Sequence, residues 1–268
     1  AVSTRNHRLQ CIRAFYSFVA ESDPTVAIYR NEILKVKPAI VPKNKKIEYM
    51  SENAIQAVLS TPRTDNNKGI RDAFMMILLY DTGARIQEIL DIRLSDIQHC
   101  NSSLILCGKG QKIRSVSLME STMQHLRKYL NIYHLSDNIS SDELLFYTIR
   151  NGIKRAMTTD NARKMVGEYG VLAKVFCPEV PDNVHPHVFR HSRAMHLYQH
   201  GMPLALISQW LGHANVETTL IYAYADTEMK RKAIEAATPS DSPLKKYTDS
   251  ERYTISDDEL IKKLYGIT

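Results

Sequence analysis

Most of this chain carries apolar residues at the spacing of amphipathic helices, and one segment breaks that period. In "SSLILCGKGQKIRSVSL", residues 102–118, Leu104 to Cys107 and Ile113 to Leu118 read as strands about a Gly-Lys-Gly turn. The result is a hairpin with Lys109 at its tip. Upstream, "GIRDAFMMILLYDTGARIQEILDI" reads as a buried helix, a turn at Thr82-Gly83 and a second helix, and Ser51 stands ahead of another helical pattern as its cap. Downstream of Met119, helical patterns return and are expected to dominate to about residue 237.

The amino-terminal stretch 3–20 places Leu9, Ile12, Phe15, Tyr16 and Val19 on one helical face, and a short helix follows near 25–35. Then "KVKPAIVPKNKKIEYM" puts two prolines and five lysines between Lys35 and Lys46, which breaks any helix and reads as an interdomain linker. The tail after residue 237 is a polar connector followed by "SDDELIKKLYGI". There Ser256 and Glu259 have capping-box spacing and Leu260, Ile261 and Leu264 form an apolar stripe.

A chain of 268 residues with 44% hydrophobic residues can build a real core. Lys and Arg exceed Asp and Glu by 35 to 29, a formal +6 with a pI near 9, which favours an anionic partner. Cys11, Cys100, Cys107 and Cys177 form no CxxC pair and have no zinc-ligand spacing, so a reducing compartment fits. No apolar run approaches the roughly 18 residues that span a bilayer. The expectation is a cytoplasmic, nucleoid-associated protein without a membrane partner.

The stretch 185–226, "HPHVFRHSRAMHLYQHGMPLALISQWLGHANVETTLIYAYAD", gathers six histidines, two arginines and three tyrosines. His187 and His191 would share a helical face, as would His196 and His200. The first pair lacks the Glu of HExxH, no carboxylate or thiol lies among the histidines, and Arg190 and Arg193 would repel a divalent ion. No metal is expected; His196 and His200 read as solvated or as satisfying helix carbonyls. The segment 203–225 also has the pattern of a helix-turn-helix turning at Gly212 to Asn215, which leaves "GARIQEIL", "GKGQKIRSVSL" and "HVFRH" unexplained.

Taken together these segments resemble the tyrosine recombinases, or phage-type integrases, and most closely their Xer-like and transposon-encoded branches. The family's pattern is an Arg in G-x-R-x-x-E, a Lys on a hairpin, H-x-x-R, then L-G-H and a Tyr nine residues after that His. Here the positions are filled by Arg85, Lys109, His187, Arg190, His213 and Tyr222 across residues 48 to 235. Singly, Arg85 with Glu88 reads as a surface pair, Lys109 as a turn lysine and Tyr222 as a half-buried helix tyrosine; jointly they read as a reaction centre. Tyr224 is the competing nucleophile, two residues along.

The resemblance implies a mainly α fold with a small antiparallel β-sheet. Residues 1–35 would be the C-terminal part of a helical core-binding domain, 36–47 the linker, 48–237 the catalytic domain and 238–268 a tail with a short docking helix. It implies a site-specific recombinase or integrase that cuts and rejoins DNA through a 3′-phosphotyrosine and a Holliday junction. Arg85 and Arg190 would grip the non-bridging oxygens and His213 would add a hydrogen bond. His187 is the candidate base, Lys109 the general acid, and Glu88 would fix a guanidinium or His187. Lys43, Lys45, Lys46, Lys112 and Arg114 are candidate DNA-binding residues. No cofactor is implied. The expected partners are double-stranded DNA with inverted-repeat sites and further copies of the chain, from dimer to synaptic tetramer, with the C-terminal helix exchanged between protomers. A type IB-like topoisomerase, a telomere resolvase and a non-catalytic DNA-binding regulator are the alternatives.

Overall fold

The computed structural model describes residues 2–40, 47–108, 110–135, 140–212, 219–222, 231, 234, 235 and 238. Lys43, Lys45, Lys46, Lys109, His213, Tyr224 and the tail helix lie outside the described residues. The chain divides into two compact units, residues 1–46 and 47–268.

In the first unit α1 (Val2–Ser22) turns through a short 3-10 segment into α2 (Ala27–Lys35). Asp23 starts that segment by accepting a hydrogen bond from the Thr25 N–H at 2.9 Å. The Arg13 guanidinium closes the pair by donating to the carbonyls of Leu34 and Val36 at 2.9 and 2.7 Å. Asn6 brackets Ala39, donating to its carbonyl and accepting from its N–H. Neither helix buries a residue fully, because two helices offer too little facing surface.

The second unit opens with α3 (Glu52–Ser60), capped by Ser51 as expected. α4 (Asn67–Thr82), capped by Asn66, is the central spine: Phe74, Met75, Met76, Leu78 and Leu79 are buried on several faces. A helix apolar all round must be surrounded. Gly83 ends α4 in the left-handed conformation at φ 57°, and the chain turns into α5 (Ile86–Leu90). β1 (Ile97–Gln98), β2 (Ser103–Gly108) and β3 (Lys112–Ser117) form an antiparallel sheet in that order, pairing Gly108 with Lys112 at the hairpin end. Leu104, Leu106 and Val116 point into the core. α6 (Glu120–Tyr133) packs on α4 through the stacked rings of Phe74, Tyr129 and Tyr133.

The helical expectation for the stretch after Met119 is corrected at β4 (Tyr147–Arg150) and β5 (Ile153–Ala156), a second antiparallel hairpin. Its turn residues Asn151 and Gly152 have φ of 52° and 77°, the paired left-handed conformation of a tight hairpin turn. α7 (Thr159–Lys174) then lies against α3 and α5, and α8 (Pro186–Gln199) against α4. α9 (Leu204–Leu211) ends at Gly212, again left-handed at φ 65°.

α8 also holds the segment that leads into the unit. Ser192 Oγ accepts from the Met50 N–H and the His196 ring bonds the Met50 carbonyl, both at 2.9 Å, while Tyr80 closes the other ring nitrogen of His196 at 2.8 Å. His196 is therefore buried and satisfied by a non-helical carbonyl; His200 bonds a helix carbonyl, that of His196. A separate apolar cluster of Ala194, Met195, Ile207, Leu211 and Tyr222 fixes the 219–222 helical segment against α8 and α9.

Candidate active site

The turn at Gly83 sets the first part of the site. Arg85 is the N-cap of α5, and Glu88 reaches back one turn so that its Oε2 accepts from the Arg85 N–H at 2.9 Å. The Glu88 Oε1 accepts from the Arg85 guanidinium at 2.8 Å, and Arg114 on β3 donates to both oxygens at 3.2 and 2.7 Å. Burial alone would raise the Glu88 carboxyl, but hydrogen bonds from Arg114 and Arg85 outweigh it and hold it at about 2. Glu88 is thus an anion shared by two arginines and it joins helix α5 to the hairpin. A methyl group on Gly108 would sit 3.2 Å from the Glu88 Oε1, so the β2 end that leads directly to position 109 lies against this carboxylate.

Arg190 makes the second connection. It is 4% exposed and donates to the carbonyl of Gly83 at 2.7 Å and of Leu211 at 2.9 Å. One side chain on α8 therefore ties together the α4–α5 turn and the end of α9. Burial first, and then the nearby Arg85 charge, lower it to about 10. It remains a cation at neutral pH.

His187 lines an open cleft of about 490 Å³ with Arg85, Arg163, Lys164, Asn183 and His185. Burial and then the charge of Arg190 favour its neutral form. One turn on, His191 faces inward. Its Nδ1 lies 3.0 Å from the Tyr222 hydroxyl, and its ring is stacked with that of His187 at 6.3 Å between centroids. Burial, then His187, hold the His191 imidazole near 4, so it is neutral and one ring nitrogen can accept a hydrogen bond. The Tyr222 side chain is 1% exposed, and burial pushes its phenol up to about 12 while Arg190 opposes the shift.

A protein-family model described as the phage integrase family matches residues 48–229, a span that contains this whole arrangement. The chain belongs to the phage integrase family. It is a tyrosine site-specific recombinase. Among curated members of that kind, tyrosine recombinase XerD of Rickettsia conorii is 30% identical over 240 residues, covering 85% of this chain and 75% of its own. Tyrosine recombinase XerD of Staphylococcus haemolyticus is 29% identical over 234 residues, covering 84% and 72%. The fold is shared with the crystal structure of XerA recombinase, with a TM-score of 0.60 at 24% identity over 86% of this chain and 83% of that one. The Tn1549 transposon integrase in complex with a circular intermediate DNA gives a TM-score of 0.66 at 20% identity over 87% and 79%.

Of the positions expected from the integrase pattern, the fold brings Arg85, Glu88, His187, Arg190 and Tyr222 into one region. Lys109 and His213 lie outside the described residues. Lys112 is exposed at the start of β3. Arg114, expected to face DNA, instead sits over Gly212 with its guanidinium on Glu88, because a buried carboxylate demands a second cation. Glu88 fixes two guanidinium groups and not His187. The imidazole that touches the Tyr222 phenol in this structure is that of His191, not of the candidate base His187. Its signal was the four-residue spacing from His187, which puts both rings on one face of α8.

Proposed function

We propose that residues 47–268 catalyse strand exchange between specific duplex DNA sites by phosphoryl transfer through Tyr222. The observation that carries this reading is that Arg190 links the Arg85 turn to the end of α9 while its charge reaches the buried Tyr222. A phosphodiester is anionic and resists attack, so a nucleophile needs fixed cations on the non-bridging oxygens. Arg85 and Arg190 fill that role, with His187 donating from the cleft and His213 adding a further bond. The tyrosyl oxygen bonds to phosphorus as the bond to the 5′-oxygen breaks, and Lys109 gives that oxygen its proton. The product is a 3′-phosphotyrosine, which retains the energy for rejoining when a partner strand's 5′-hydroxyl attacks.

On this reading two rounds of exchange pass through a Holliday junction in a tetramer assembled on inverted-repeat sites. Residues 1–35 belong to a core-binding domain, and Lys43, Lys45 and Lys46 follow the DNA backbone. Tyr222 is buried before DNA binds, so loading must open a path between its hydroxyl and the phosphate. That relatives of the same fold were captured on DNA, among them the XerH recombinase bound to difH substrate and the Tn1549 integrase on transposon DNA, supports duplex DNA as the substrate.

The test is a nicked suicide duplex built on the site that footprinting recovers from DNA flanking the protein's own gene. Wild type should form a covalent adduct; Tyr222→Phe should form none while still binding. An adduct that persists in Tyr222→Phe and vanishes in Tyr224→Phe would move the nucleophile to Tyr224.

A further inference from the structure

We infer that His191 is the base that takes the Tyr222 proton, and that His187 serves the phosphate instead. The inference rests on Tyr222 being the nucleophile. Its ground is the geometry of α8: His187 and His191 share one face, but only one of them reaches the phenol. His187 opens onto the cleft beside Arg85 and Arg163, where a ring N–H meets an incoming phosphate oxygen. His191 lies one turn deeper with Nδ1 at hydrogen-bond distance from the hydroxyl. Proton transfer needs that distance before it needs anything else.

The groups facing His191 are His187, Arg190 and His185 from its own helix and Tyr222 from the 219–222 segment. Together with burial they keep the imidazole uncharged, leaving a free lone pair on Nδ1 in the Nε2–H tautomer. A bound phosphodiester brings negative charge into the same group of cations. That charge favours protonated imidazole, just as Arg190 favours tyrosinate, so the substrate itself drives the transfer. The phenolic proton passes to Nδ1 as the oxygen–phosphorus bond forms. In the rejoining step the phenolate leaves phosphorus and takes the proton back, so nothing is consumed.

The experiment uses the full chain and the suicide duplex in single-turnover form. His191→Ala and His191→Gln should slow adduct formation by about 100-fold or more with DNA affinity little changed. Their rates should rise steadily with pH, because hydroxide must then remove the proton. Added imidazole should restore His191→Ala. A substrate with sulfur at the bridging 5′-position should rescue Lys109→Ala but neither His191 variant, because sulfur relieves the leaving group and not the nucleophile.

A measurement on the unmutated chain guards against misfolded variants. The Nδ1 nitrogen resonance of His191 should be that of an unprotonated acceptor and should move in Tyr222→Phe. A protonated Nδ1, or either variant cleaving with the wild-type rate and pH profile, overturns the inference. So does faster cleavage, which would make the contact a latch. An adduct that survives Tyr222→Phe would instead overturn the reading beneath it.

Discussion

Glu88 is 4% exposed and carries no proton at neutral pH because two arginines and a backbone N–H converge on it. Its folded value of about 2 lies below the ordinary 4.5, so its contribution is complete above pH 4.5 and is lost as pH falls from there toward 2. Glu88→Gln leaves Arg114 in place without its counter-charge. That variant should be less stable by about 3 kcal/mol at pH 7, the scale for breaking a buried ion pair. Urea midpoints measured at pH 7, 4 and 3 check this: the gap to wild type should narrow as the wild-type carboxylate takes up its proton. A gap that stays constant down to pH 3 would mean that Glu88 charge does not hold the pair. Cleavage should fall as well, since Arg85 loses the partner that aims it. The sequence made Glu88 visible through the spacing in "GARIQEIL", but not the partner Arg114, which depends on how the hairpin folds back. His191 was hidden for the same reason: what it touches is set by the return of residue 222.

At the level of elements, helix limits were readable where the chain needs special chemistry. Ser51 caps α3, Gly83 ends α4 and Gly110, at φ 76°, stands between β2 and β3, each for a local steric or hydrogen-bonding reason. The second hairpin shows itself in the sequence only at its turn, Asn151-Gly152. β4 alternates apolar and polar residues but is only four residues long, and β5 is exposed throughout with Lys154 and Arg155 adjacent, so the pattern is too short to set a period. Gly83 shows what one such turn does for the site. Its left-handed backbone costs a non-glycine residue about 1 kcal/mol. An added Cβ would also meet the Leu211 side chain at 2.8 Å. Both Gly83 and Leu211 offer the carbonyls that hold Arg190, so strain at one is felt at the other. Gly83→Ala should lower Tm by about 5 °C, corresponding to roughly 2 kcal/mol in a protein of this size, and should reduce cleavage more than DNA binding. Unchanged cleavage in a destabilised Gly83→Ala protein would show that Arg190 is held without this turn.

On the scale of the whole molecule the excess of cations is modest, +6 over 268 residues, so where they stand matters more than how many there are. The family pattern marks Arg85 and Arg190, proposed above to grip a single phosphate, but not the wall beside them. That wall is α7, which contributes Arg163 and Lys164 to the same cleft as Arg85 and His187. Both are only loosely engaged within their own helix, Arg163 with Asp160 at 3.7 Å and Lys164 with Glu168 at 4.0 Å. Exposed pairs of this kind contribute little, so either cation is free to turn toward a duplex. If each meets one backbone phosphate, each releases about one counterion when DNA binds. The logarithm of the binding constant against the logarithm of salt concentration should then be shallower by about 2 in Arg163→Ala with Lys164→Ala together, at about 0.9 for each lost contact. The loss of affinity should be uniform across DNA sequences, because phosphate contacts carry no base information. Equal slopes for the double variant and wild type would mean that the α7 wall does not meet the backbone. A loss confined to one sequence would instead assign these side chains to base recognition.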